Sequence, residues 1–203
     1  LVRPDLPANR AHPTFWSQQQ IHHVLESCQT LWERCMVIGL TQTGARREEF
    51  CSIDQSNLHH DEGGTWALVD SKGTSSNEAR QRVLYIPSVA ATHLVMAMGD
   101  KGYLHAHHSR ITPKEMEKDM RALLKRAGVW KLGVGCHSFR HSYKGEFMQN
   151  GGSDRLAEFL LGHFPKNMAA HYYHVPDREA MEAAMRYAPS RFLQAGMPLE
   201  VAA

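Results

Sequence analysis

The chain is poor in the features that mark several large protein classes. It has only four cysteines among 203 residues. Cys28, Cys35, Cys51 and Cys136 show none of the close pairing that builds a zinc site or the disulfide framework of a secreted domain, so they read as reduced, mostly buried thiols. No apolar run approaches the roughly 18 residues of a membrane span. The start, Leu1-Val2-Arg3-Pro4, lacks the charged-then-apolar order of a signal peptide; no membrane association is expected, and the expected location is cytoplasmic. Charge of one sign is also scarce, with 23 Lys and Arg against 21 Asp and Glu and a net charge of +2. Composition therefore carries no global signature of a nucleic-acid binder, and any positive groove has to be local. Internal repeats and low-complexity tracts are missing too.

A hydrophobic content of 42% is enough for one sizeable core. Histidine, at 14 residues, is abundant. His22-His23, His59-His60 and His105-Ala106-His107-His108 invite a metal reading, but these groups lie in separate segments without a His-Glu-x-x-His motif or a cysteine pair. No metal site is expected.

Pro4, Pro7 and Pro13 among polar residues make 1–13 an extended linker. Ser17 caps a helix running through Leu25, and Leu31, Cys35, Ile38 and Leu40 suit a second, buried helix broken by Gly44. A short helix covers Arg46 to Cys51 and brings Glu49 onto the face of Arg46. Trp66-Ala67-Leu68-Val69 and Arg82-Val83-Leu84-Tyr85-Ile86 are strand-like and flank a polar stretch from Lys72 to Glu78, predicting a β-hairpin with a long loop. Thr112-Pro113-Lys114-Glu115 is a capping box with proline at the first helical position, opening a helix that runs to about Ala127 and is closed by Gly128. Further helices are predicted from His137 to Gln149, Asp154 to Leu161, Lys166 to Tyr173 and Asp177 to Tyr187. The expected fold class is α+β, mainly α with a small antiparallel β-sheet.

Four local settings carry chemistry: Thr43-Gly44-Ala45-Arg46-Arg47-Glu48-Glu49, His137-Ser138-Phe139-Arg140-His141, Leu161-Gly162-His163 and Tyr172-Tyr173-His174-Val175, with Lys72 between the first two. Each piece alone has an ordinary explanation as a solvated helix face, a helix end or a core aromatic. In this order, from about Thr14 to about Val175, they resemble the catalytic domain of the tyrosine recombinases, the phage-integrase family. The resemblance implies a catalytic domain over 14–190 with a C-terminal tail over 191–203. It also implies an N-terminal DNA-gripping domain ahead of the linker, and the missing initiator Met suggests a fragment without it. Phe164-Pro165 departs from the small polar residues common after the family histidine, and the Tyr172-Tyr173 doublet blurs which tyrosine reacts.

The resemblance assigns catalytic roles to Arg46, Lys72, His137, Arg140, His163 and Tyr172, and elementary chemistry agrees. When a tyrosine hydroxyl attacks a DNA phosphorus, negative charge gathers on the non-bridging oxygens. Guanidinium forks match those oxygens bidentately, which suits Arg46 and Arg140 as phosphate ligands. Supplying phenolate at pH 7 costs about 4 kcal/mol without a base, and His137 is the candidate. Lys72 is the proposed general acid for the 5′ oxygen that leaves, with Arg80 and Arg82 as nearby cationic substitutes. His163 contacts the phosphate, and Glu49 supports the site by orienting its neighbours. Tyr172 is the expected nucleophile and Tyr173 the alternative, since adjacent helix residues point about 100 degrees apart.

A covalent 3′-phosphotyrosyl intermediate conserves the phosphodiester bond energy, so no cofactor is implied. The expected function is site-specific recombination of double-stranded DNA, integration or excision in the service of a mobile element. The family assembly is a homotetramer on two DNA sites. Three alternatives stand beside it: strand cutting and resealing of the type IB topoisomerase kind, a non-catalytic DNA-binding protein of the same fold, and a histidine-rich metallohydrolase. The C-terminal helix either docks on a neighbouring subunit or packs within its own chain.

Overall fold

The computed structural model of the chain describes residues 16–62, 64–72, 79–106, 109–163, 177–187 and 189. α1 (Gln18–Glu26) starts at Ser17, whose Oγ accepts from the Gln20 N–H while Gln20 Oε1 accepts from the Ser17 N–H at 2.9 Å. This reciprocal pair satisfies donors that every helix start leaves open. α2 (Leu31–Thr43), capped by Thr30, is buried at Trp32 and continuously from Cys35 to Thr43, as expected of a helix surrounded by others. Gly44 ends it in the left-handed conformation, φ 59°. α3 (Arg47–Cys51) follows with Arg46 at its N-cap.

β1 (Leu58–Asp61), β2 (Gly64–Lys72) and β3 (Ala79–Ile86) form an antiparallel sheet in the order β1-β2-β3. Trp66 pairs with Tyr85, and Lys72, the last residue of β2, pairs with Ala79. The predicted hairpin is therefore present, with its loop outside the described residues. β1 was not foreseen. Leu58-His59-His60-Asp61 contains no β-branched residue and is exposed at its last three positions. It forms because β2 offers backbone partners and His59 stacks on Trp66 with ring centroids 4.2 Å apart. α4 (Ser88–Met98) was also not foreseen: it begins directly after Pro87 with no side-chain cap, and its mostly apolar sequence lacks a polar stripe. A 3₁₀ turn (Gly99–Lys101) and the short pair β4 (His105–Ala106) and β5 (Ser109–Arg110) lead to the next helix.

α5 (Pro113–Arg126) carries the predicted capping box, with Thr112 Oγ1 and Glu115 Oε2 exchanging bonds with each other's N–H groups. α6 (Cys136–Gln149) starts one residue before its predicted position, and α7 (Asp154–Leu160) stops one residue early. The end of α7 is a Schellman turn. The His163 N–H donates to the Glu158 carbonyl at 2.9 Å, the Gly162 N–H donates to that of Phe159 at 2.8 Å, and Gly162 sits at φ 69°. The helix expected over 166–173, the linker 1–13 and the tail 191–203 lie outside the described residues. α8 (Asp177–Tyr187) buries Ala180, Ala183 and Ala184 against its own chain. There Tyr187 meets Phe147 edge-on with centroids 5.5 Å apart.

α6 is the shared wall of two cores. Its Phe139 belongs to the larger cluster with Met36, Leu40, Phe50, Leu94 and Leu123, while its Tyr143 and Phe147 belong to a smaller one with Leu160, Leu161 and the α8 alanines. A helix anchored in two cores has few ways to move.

Two predictions arise from this packing. A Cβ at Gly44 would lie 2.7 Å from Leu161 Cδ2 and 2.8 Å from the Tyr143 ring, in a backbone conformation unfavourable to L-residues. Gly44→Ala is expected to cost about 2 kcal/mol, read as a lower urea midpoint at unchanged m-value. Separately, Glu146 is 8% exposed and has no side-chain partner among the described residues; burial pushes its carboxyl up to about 7. The folded value exceeds the unfolded one, so its contribution is intact in acid and is lost as pH rises through 7. Glu146→Gln is expected to stabilise the fold at pH 8 by on the order of 2 kcal/mol and to be nearly neutral at pH 5; an equal effect at both would contradict this account.

Candidate active site

Arg46, Glu49, His137, Arg140 and His163 converge where α3, α6 and the turn after α7 meet. The centre of the arrangement is Glu49, 1% exposed. Its Oε2 accepts from the Arg46 backbone N–H at 2.7 Å, a glutamate at the third helical position reaching back to cap its own helix. Its Oε1 accepts from Arg46 Nη1 at 2.8 Å. Arg82, also buried, closes on the other side, with Nε to Oε1 at 3.1 Å and Nη2 to Oε2 at 2.7 Å. Burial alone would raise the Glu49 carboxyl, but the hydrogen bonds and charge of Arg82, and then the bonds from Arg46, outweigh it and hold the group at about 2.

Arg46 Nη1 also donates to Ser71 Oγ at 2.6 Å, tying the arginine to the end of β2 one residue before Lys72. Arg140, 3% exposed, donates through Nη1 to the Gly44 carbonyl at 2.7 Å, and through Nη2 to the Leu161 carbonyl and to His163 Nε2, the latter at 3.0 Å. Burial first, then the charges of Arg46 and Arg82, lower its guanidinium to about 9, which leaves it protonated at neutral pH. His137, on the open side of α6, contacts His141 edge-on with centroids 4.6 Å apart. Partial burial, His141, Arg140, Arg46 and His163 all push its proton affinity down, so it is neutral at pH 7 and able to accept a proton. His163 is likewise lowered by burial and by Arg140, with Glu158 pulling the other way.

The structure thus brings together Arg46, Glu49, His137, Arg140 and His163 from the sequence-predicted set. The backbone of Lys72 ends β2; the loop that follows it, Tyr172 and Tyr173 lie outside the described residues. One reading is corrected. Arg82 is no cationic stand-in for Lys72, because its guanidinium is buried and committed to Glu49 and to the Leu160 carbonyl at 2.7 Å. The period-two register of β3 signals this placement, since Arg82 shares the buried face of Leu84 and Ile86 and a buried charge requires a partner. Ser71 and Glu158 also escaped notice, and nothing in their local sequence marks them. The histidine doublets are dispersed: His60 Nδ1 bonds Thr65 Oγ1 at 2.9 Å while His105 lies in β4. Among the described residues no group of three or more His, Cys, Asp or Glu is placed to hold a metal ion. No described helix is long and apolar enough to cross a membrane.

The phage integrase family model matches residues 15–179, and the chain belongs to that family. Tyrosine recombinase XerD of Oceanobacillus iheyensis is 25% identical over 198 residues, covering 89% of this chain and 64% of that protein. Tyrosine recombinase XerA of Pyrococcus furiosus is 23% identical over 197 residues, covering 92% of this chain and 65% of the relative. The chain therefore spans just under two thirds of the length of these relatives. Among solved structures, the XerA recombinase crystal structure superposes with a TM-score of 0.61 at 23% identity, over 89% of this chain and 65% of that one. The integrase of mycobacterium phage Brujita superposes with a TM-score of 0.69 at 19% identity, over 93% and 62%. The fold is that of the tyrosine recombinase catalytic domain, mostly helical with a small antiparallel sheet, as the residue pattern implied.

Removing the buried charge tests the site's electrostatics. A depressed carboxyl contributes stability that is present above about pH 4.5 and lost as pH falls towards 2. Glu49→Gln is expected to cost about 3 kcal/mol at pH 7, and the gap from the parent to shrink by more than half at pH 3, measured by denaturant unfolding. A gap independent of pH would mean that Glu49 acts through shape alone.

Proposed function

We propose that this chain is the catalytic domain of a site-specific DNA recombinase that cleaves and rejoins strands through a 3′-phosphotyrosyl intermediate. The observation that carries the reading is the convergence of Arg46, Arg140 and His163 beside a neutral His137, all organised around buried Glu49. Arg46 and Arg140 receive the charge that develops on phosphorus; a guanidinium preorganised in a partly buried site is worth on the order of 3 kcal/mol to such a transition state. His137 takes the phenolic proton of Tyr172, with Tyr173 the alternative nucleophile. Lys72, at the end of β2 where the hairpin loop begins, protonates the 5′ oxygen as it leaves, and His163 contacts a non-bridging oxygen. The intermediate keeps the phosphodiester energy, so rejoining requires no cofactor.

DNA is the partner in the solved complexes of related recombinases, including XerH bound to its difH substrate and the Tn1549 integrase with circular-intermediate DNA. A groove lined by Arg47, Lys114, Lys118 and Arg121 together with Glu115 and Glu117 adjoins another lined by Glu117, Arg121, Trp130 and His137; its cations outnumber its carboxylates, which supports a backbone-contacting face that runs into the site. The proposal extends to a homotetramer on two DNA sites, a mobile-element role, a cytoplasmic setting, and a linker over 1–13 entering a catalytic domain over 14–190 with a tail over 191–203.

The decisive experiment traps the covalent complex on a pool of nicked duplexes randomised around the nick. The expected result is a denaturation-resistant adduct whose peptide maps to Tyr172, abolished by Tyr172→Phe and retained by Tyr173→Phe. The reverse pattern reassigns the nucleophile. Cleavage that a chelator abolishes and neither substitution affects would overturn the mechanism, and plasmid relaxation without strand exchange would replace recombination by a topoisomerase activity.

A further inference from the structure

His163 is held from both sides in a way that its proposed role does not explain. Arg140 Nη2 lies 3.0 Å from its Nε2, and Glu158 Oε2 lies 2.9 Å from its Nδ1. A guanidinium only donates, so Nε2 must offer a lone pair. Nδ1 then carries the hydrogen and donates it to Glu158. In this tautomer His163 has no N–H to offer a phosphate oxygen, and its lone pair would repel one. Contact with phosphate requires that Arg140 turn its donor to the anion and that Nε2 gain a proton.

Glu158 is placed to support that change. Its carboxylate stands between His163 and Lys144: Oε1 accepts from Lys144 Nζ, and Lys144 also meets Asp154 Oδ1 at 2.9 Å. The position is built in by the fold. Glu158 and His163 bracket the Schellman turn at the end of α7, and the bond from the His163 N–H to the Glu158 carbonyl holds the two residues together through the backbone as well as through their side chains.

We propose that Glu158 is a positioning residue for His163. It fixes the Nδ1–H tautomer while Arg140 occupies Nε2, and it stabilises the doubly protonated imidazolium once a phosphate oxygen draws Arg140 away. The inference rests on the recombinase reading of the same site. The proton comes from solvent, one per site, and gives His163 an Nε2–H donor and a further positive charge at the phosphate. The charged groups acting on His163 are Arg140 from α6 and Arg46 beside α3, which oppose protonation, and Glu158 from α7, which favours it. His137, across the site on α6, is a further titratable neighbour. Lys144 weakens the effect of Glu158 by drawing on the same carboxylate. These opposed influences leave His163 neutral without an anion and responsive when one arrives.

The test is independent of turnover. Histidine-labelled protein is titrated by NMR, with the His163 signals identified by their loss in His163→Gln, in the absence and presence of sulfate. Sulfate serves as a tetrahedral oxyanion that does not itself titrate between pH 5 and 9. The free protein at pH 8 is expected to show the Nδ1–H tautomer, and sulfate to raise the midpoint of His163 by about one pH unit, tenfold in proton affinity. Glu158→Gln keeps an acceptor but removes the charge, and is expected to lower the midpoint about tenfold in affinity with and without sulfate. Lys144→Met frees the carboxylate and is expected to shift the midpoint upward. An Nε2–H tautomer in the free protein, or midpoints unmoved by both substitutions, would overturn the proposal. Failure of the covalent-capture experiment alongside these shifts would instead place the fault in the recombinase reading, because the titration requires no cleavage.

Discussion

One buried carboxylate lets this site exist in a folded protein. Arg46, Arg82 and Arg140 crowd a small volume, and three guanidiniums would repel one another strongly where water is excluded. Glu49 lies between two of them and takes four hydrogen bonds, three from their side chains and one from the Arg46 backbone. The acid stays ionised because those bonds outweigh its desolvation. Without it the interior would hold uncompensated positive charge, which is among the most destabilising situations a fold can contain. Burial lowers the proton affinity of Arg140 and both histidines most, and the charges of neighbouring arginines lower it further, so the compensation is incomplete. That residual positive potential is what an anion such as a backbone phosphate would meet.

The guanidiniums are also aimed before any anion arrives. Arg140 reaches the carbonyl oxygens of Gly44 and Leu161, groups that the ends of α2 and α7 leave without helical partners. One side chain thereby ties α6 to two helix termini. Left-handed glycines make both approaches possible: Gly44 packs against Leu161 and Tyr143, and a Cβ at Gly162 would lie 2.7 Å from Arg82 Cδ. Because α6 is anchored in both cores, His137 and Arg140 ride on an element with little freedom to shift, as a preorganised site requires.

Much of this was legible in the chain because much of it is local. Ser17, Thr112 with Pro113 and Glu115, Gly44, Gly128 and the Asn150-Gly151-Gly152 stop act on backbone groups within a few residues of themselves, and the helix boundaries followed them closely. The arginine, histidine and Leu-Gly-His motifs identified the family in the same way. β1 and α4 escaped notice because neither advertises itself: β1 is a polar strand whose edge position is granted by β2, and α4 is an apolar helix without a cap.

The site divides along the same line. The identities of Arg46, Glu49, His137, Arg140 and His163 are written in short motifs, each set by the spacing of a single helix or turn. That Arg82 is a structural counter-ion, that Ser71 ties Arg46 to the sheet, and that Arg140 reaches His163 were decided only by tertiary structure. Those partners lie 33, 25 and, for Arg140 and His163, 23 positions apart in the chain. Charge pairing at such separations leaves no periodic or local imprint. It is set by which groups packing forces out of water together, and a linear sequence does not carry that information in any single segment.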